Sequence, residues 1–167
     1  MGKQSIMFDR WAGRFETRQA AWDACEWGEW MLWLAARLSG PPGLPGRRKL
    51  VLCVADVLRT GSPRVIGQSR RALLRCCEAA ERWARSEPDA TVAEIKRAFD
   101  GTVGLGYAWH AAYTLWATVT EPDVATIASW AVDQTICVEQ AAHAALQRQA
   151  AGVVRRHYPV PPTKESS

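Results

Sequence analysis

Histidine is scarce in this chain: His110, His143 and His157 are the only three among 167 residues. No HExxH, Gly-x-Ser-x-Gly or Walker A pattern accompanies them, so the familiar metalloprotease, hydrolase and nucleotide-phosphate signatures are missing. Gly101-Thr-Val-Gly104-Leu-Gly106 is spaced GxxGxG and follows a helical pattern rather than a strand. It reads as a kink or close packing, not a phosphate loop. Long apolar runs are missing too; Arg, Asp or Glu interrupts every candidate before the ~18 residues of a membrane span. The N-terminal stretch lacks the apolar core of a secretory signal, and Ile6 stands where a myristoylation motif starting at Met1-Gly2 needs Ser or Thr. The expectation is a cytoplasmic protein with no membrane contact. The five cysteines (Cys25, Cys53, Cys76, Cys77 and Cys137) are odd in number and include no CxxC, which suits small buried side chains in a reducing compartment. Neither a metal nor a cofactor is called for.

Strand alternation is also wanting, and helical periodicity takes its place. Residues 14–38 read as one long helix, with Trp27, Met31, Leu34 and Leu38 on one stripe and Trp30, Trp33 and Arg37 on a neighbouring face. Ser39 to Gly46, rich in Gly and Pro, breaks the chain. Helices follow over 47–59 and about 64–85, the second with Val65, Ser69, Ala72, Cys76, Ala79, Ala80 and Trp83 inward and Gln68, Arg71, Arg75, Glu78, Arg82 and Arg85 outward. Thr91-Val-Ala-Glu94 is a capping box opening a short helix to Phe99. An aromatic-rich helix over 102–119 and a long one over 122–150, continuing toward Arg156, complete the pattern. The fold expected is all-α: a single domain over residues 1–158, an irregular bundle of five to six helices, and a disordered tail at 159–167. A helical solenoid competes, but no 34-residue repeat recurs.

Nine tryptophans are what the chain has in abundance, five of them between Trp11 and Trp33. Trp22, Trp83 and Trp130 fall on apolar faces and read as core. Trp30 and Trp33 lie on the second face of the first long helix, where burial competes with a partner-binding or self-association patch. Charge is the other bias. Arg47, Arg48, Lys49, Arg59, Arg64, Arg70, Arg71 and Arg75 face a single acid, Asp56, between residues 41 and 77. Such a segment reads as solvated surface, as a contact for an acidic protein, or as a phosphate contact through Arg47, Arg48, Lys49, Arg64 and Arg70. Glu139 and His143, four apart, could ligate a metal or orient a base, but no third ligand is spaced to join them, and an ordinary ion pair explains them. His110, between Trp109 and Tyr113, reads as a histidine at a core edge.

Three segments carry a resemblance: Arg48-Lys-Leu-Val-Leu-Cys-Val-Ala-Asp-Val-Leu58, Ser69 through Trp83-Ala-Arg85, and Thr91-Val-Ala-Glu-Ile-Lys-Arg-Ala98. Together with Gln149 to Pro159, which is similar to the closing segment of some members, they resemble small helical bacterial immunity proteins of polymorphic toxin systems and related uncharacterised helical proteins. The likeness covers about half the chain. It implies a non-catalytic binding protein that neutralises a protein partner, and it carries no functional-residue motif. The sequence therefore points to a helical binding protein with Trp30, Trp33, Arg37, Arg71 and Arg75 as its contact residues. The alternative is a nucleic-acid-associated helical subunit of a larger complex, using the basic segment 47–75. An enzyme centred on His110 or on Glu139 and His143 is the least supported reading.

Overall fold

The computed structural model describes residues 3–61, 65–136 and 143–162. Among these residues it is all helical, with no strand. The helices are α1 (Lys3–Ala12), α2 (Arg18–Ala24), α3 (Gly28–Arg37), α4 (Pro45–Gly61), α5 (Gly67–Ala84), α6 (Val92–Asp100), α7 (Tyr107–Thr120), α8 (Ala125–Ile136) and α9 (His143–His157). Among the described residues these nine exceed the five to six expected from the sequence. α1 was not foreseen, the helix read over 14–38 is two helices, and the one read over 122–150 contains α8 and α9. Residues 137–142, where that last helix was expected to run on, lie outside the described residues.

The break within 14–38 has a physical cause. Thr17 caps α2, its hydroxyl accepting from the Ala20 N–H at 3.0 Å. At the far end Cys25 turns extended, at φ −71° and ψ 116°, leaving carbonyls without helical partners. Arg155 of α9 supplies them: its guanidinium donates to the Cys25 carbonyl at 2.7 Å and to Trp22 at 3.3 Å. α3 then begins at Gly28 with no side-chain cap of its own from Trp27. Gln147, two turns before Arg155 on α9, accepts from the Glu29 N–H at 3.2 Å and serves as that cap. Two side chains of α9 therefore close the two helix ends that the break opens.

The buried side chains form one cluster drawn from α2 through α9. α3 packs mainly on α8 and α9, whereas α5 packs mainly on α4, α6 and α7. α5 is amphipathic: Ala72, Cys76, Ala79, Ala80 and Trp83 are buried, as is Val65 just before it; Gln68, Arg71, Arg75 and Glu78 are exposed, as is Arg85 just after it; Ser69 and Arg82, expected inward and outward, are both half-buried. The Thr91 hydroxyl accepts from the Glu94 N–H at 3.1 Å, one half of the expected capping box. The other half is replaced, because the Glu94 carboxylate accepts from Arg82 at 2.6 Å. α7 starts at Tyr107 rather than 102, since Gly104 and Gly106 adopt positive φ values of 78° and 53° that turn the chain between α6 and α7. At the C-terminal end, Gln19 still donates to the Pro159 carbonyl at 3.2 Å. Residues 163–167 of the expected tail lie outside the described residues.

Candidate functional site

Aromatic rings gather at the end of the bundle where the α2–α3 break meets α1 and the start of α9. Trp27 stacks on Trp30 with centroids 5.5 Å apart and planes at 25°. Phe8 and Trp11 of α1 lie against Trp30 at 6.4 and 6.1 Å, Trp11 meets Phe15 at 4.8 Å, and His143 sits edge-on to Trp27 at 6.4 Å. Trp27 is 43% exposed in spite of this packing. A ring of that size held open to water on a structured helix end is the side chain best placed to anchor a contact.

This arrangement redistributes the tryptophans. Trp33, expected beside Trp30 on a candidate contact face, is 8% exposed, with the Arg37 guanidinium 5.1 Å from its ring centre. Trp33 therefore belongs to the core, and Arg37, itself exposed, lies over it. Trp30 is half-buried because α1 covers it. Trp27, expected on the inward stripe with Met31, is instead the extended N-cap residue of α3, which begins one residue later, and its ring faces outward. Trp22 and Trp83 are buried as expected, but Trp130 is 40% exposed, on the side of α8 away from Ala128, Ala131 and Val132.

Beneath the rings lies a polar cluster that no sequence motif marked. Gln147 is 2% exposed, and because its side-chain oxygen is committed to the Glu29 N–H, its amide nitrogen is fixed in place with no hydrogen-bond partner among the described residues. Burial, reinforced by the Glu29 carboxylate and opposed by His143, pushes the Asp133 carboxyl up to about 6. The folded chain thus keeps the Asp133 proton over a range in which the unfolded chain, near an ordinary ~3.9, has lost it. The stability contributed by this group is complete below about pH 4, declines as pH rises from about 4 to about 6, and stays at the lower level above that. Asp133→Asn should remove the decline: melts of variant and wild type agree near pH 4, and the variant is the more stable at pH 7. Identical pH profiles would show that Asp133 does not titrate in this way. Glu139, the proposed companion of His143, lies outside the described residues. Among the described residues no group of three or more His, Cys, Asp or Glu is placed to hold a metal ion.

The basic segment does not form one surface. Arg47, expected as a phosphate or acidic-surface contact, is 1% exposed, and this is a correction. Its guanidinium donates to the Gly40, Thr118, Glu121 and Pro122 carbonyls and to the Ser39 hydroxyl, with distances of 2.7 to 3.2 Å. Burial lowers its pKa from the usual arginine value, with Asp123 opposing. Arg48 donates to the Trp83 carbonyl and lies 4.6 Å from the centre of the Trp83 ring, and Lys49 lies 4.7 Å from that of Tyr158. Arg59 forks onto Glu81 at 2.8 and 3.0 Å. Arg64 lies outside the described residues. Arg70, Arg71 and Arg75 are exposed along α5. α3, which carries Trp30, and α5, which carries the Arg71/Arg75 stripe, pack mainly on different neighbours.

Elsewhere, His110 is exposed beside Trp109 rather than at a core edge, and His157 pairs with Asp56 at 2.8 Å. Cys25, Cys53, Cys76 and Cys77 are buried and free, and desolvation pushes each thiol up, Cys76 to about 12. At neutral pH they are inert thiols rather than nucleophiles. Cys137 lies outside the described residues. No family model matches the chain, and neither a curated protein nor a solved structure does.

Proposed function

We propose that the chain is a non-catalytic helical binding protein that engages a protein partner through the Trp27–Trp30 end, in the manner of an immunity-type neutraliser. The observation that carries the reading is Trp27, exposed to 43% yet stacked on Trp30 and backed by helices of the core. A fixed aromatic anchor with half-buried aromatics around it has the composition of an interface hot spot, and exposing such a ring without a partner is unfavourable. No helix of the described residues is long and apolar enough to cross a membrane. Four free buried thiols suit a reducing compartment such as the cytoplasm.

Among the described residues the nucleic-acid alternative rests on Lys49, Arg70, Arg71 and Arg75, since Arg47 and Arg48 are committed to carbonyls of the bundle. The two readings separate in one experiment. Tagged wild type, Trp27→Ala and Arg71→Glu/Arg75→Glu are used to capture partners from the native host, and the captured protein is then titrated in purified form. Trp27→Ala should weaken the complex by about thirtyfold or more, the scale of a hot-spot truncation. The double arginine variant should change it by less than about threefold, and the CD spectra of all three should agree. Loss of binding confined to the arginine variant, with retention on heparin abolished, would overturn the proposal in favour of the basic stripe.

A further inference from the structure

α1 is joined to the bundle differently from the other helices. None of its residues 7–12 is buried. Its ring contacts run to Trp30 and Phe15, made by Phe8 and Trp11, one helical turn apart. A helix of ten residues is marginal on its own in water, so the Trp30 face organises it. This is how an amphipathic peptide sits in a receptor groove, read through anchors at i and i+3.

We infer that the Trp30 face is a receptor for an amphipathic helix of a partner protein carrying two aromatic residues one turn apart, with α1 occupying that seat in cis until the partner arrives. The inference rests on the proposed function and names the kind of partner. The occupant is read from the molecule: α1 shows what the face accepts, two rings meeting Trp30 at interplanar angles of 89° and 65°. α1 also leaves Trp27 open at the edge of the seat. A partner helix that reaches Trp27 gains a ring contact that α1 does not make, and this gives it the means to displace α1.

Competition in cis fixes the expected result. A helix tethered through residues 13–17 acts at an effective concentration of roughly 1 mM. The probe is a fluorescein-labelled peptide of residues 1–15 added to the full chain. Against wild type its apparent Kd stays near that effective concentration. Against Phe8→Ala/Trp11→Ala, whose own α1 has lost both rings, the peptide binds at least tenfold more tightly, and adding Trp30→Ala removes the gain. A further variant keeps every native side chain: lengthening the 13–17 connector by about ten Gly/Ser residues lowers the effective concentration about fivefold, and the peptide's apparent Kd tightens by the same factor. Equal affinity for wild type, Phe8→Ala/Trp11→Ala and the lengthened chain overturns the inference, as does tight binding that survives Trp30→Ala. If the peptide shows no such preference while Trp27→Ala still abolishes partner capture, the inference fails and the proposed function stands. If the peptide behaves as expected while Trp27→Ala leaves capture intact, the seat stands and the Trp27 anchor fails.

Discussion

Arg47→Met should lower the stability of the chain by about 3–5 kcal/mol, the scale of removing one member of a buried charged network. Methionine keeps an unbranched apolar stem out to about the position of Nε, so the loss reports chiefly the guanidinium. That group closes two helix ends at once. On one side it donates to the Ser39 hydroxyl and the Gly40 carbonyl, just past α3; on the other it donates to the Thr118, Glu121 and Pro122 carbonyls at the end of α7. A cation at a helix C-terminus also opposes the macrodipole favourably. Water can reach part of this network, because Glu121 and Pro122 are exposed residues, whereas Ser39 and Thr118 are buried. That limits the cost to a few groups rather than six bonds. Arg47→Lys should rescue little, since one ammonium cannot span both helix ends. For a chain of this size each kcal/mol moves Tm by about 2–4 °C, so the melting point should fall by roughly 10 °C. An unfolding free energy from urea titration within ~1 kcal/mol of wild type at unchanged m-value would show that the network contributes little stability.

The same device recurs, and it explains why the basic bias of the sequence misled. Arg47 closes α3 and α7, Arg48 reaches the Trp83 carbonyl near the end of α5, and Arg155 takes the carbonyls at the end of α2. Three arginines are tied up by helix C-termini, which leave carbonyls without intrahelical partners. Arg47 and Arg48 read as available from the sequence because acceptors such as the Thr118 and Trp83 carbonyls lie 71 and 35 positions away, where no local pattern records them. The helical class, the inward stripe of α5 and the Thr91 cap were legible because each depends on residues within a turn or two. The α2–α3 break was not, because its continuous apolar pattern is interrupted by α9 rather than by a local Gly-Pro signal. Placing α3 in one unbroken helix put Trp27 in phase with Met31 and hid the most exposed ring of the cluster. Without α1 the sequence leaves open whether Trp30 and Trp33 are covered; Trp30 is covered by α1 and Trp33 is core.

Gly28→Ala should destabilise the chain by about 2 kcal/mol or more, against the usual direction of that substitution in a helix. Alanine is normally the better helix former by up to ~1 kcal/mol. At Gly28, however, an added Cβ would stand 2.5 Å from the Cβ of Ala150 and 2.8 Å from the Ala151 backbone nitrogen. Carbon atoms pack best at about 3.5–4 Å, so α3 and α9 must part by roughly 1 Å. Overpacking of this kind costs typically 1–3 kcal/mol. The separation also strains the bonds that close the break, Gln147 to the Glu29 N–H and Arg155 to the Cys25 carbonyl. Gly152 is the internal control. It lies within α9 with nothing inside 4 Å of an added Cβ, so Gly152→Ala should be neutral or stabilising by up to ~1 kcal/mol. Ala150→Gly should cost about 1 kcal/mol in wild type and relieve Gly28→Ala only in part, because the Ala151 nitrogen stays 2.8 Å from the added Cβ, giving a coupling of about 1 kcal/mol in a double-mutant cycle. Additivity within ~0.5 kcal/mol would mean that the helices relax apart freely. Trp27 immediately precedes Gly28 and touches His143 at the start of α9, so the widened gap also moves the exposed ring. On the proposed function, partner affinity should therefore fall in Gly28→Ala together with stability, and recover in part with Ala150→Gly, whereas Gly152→Ala leaves both intact.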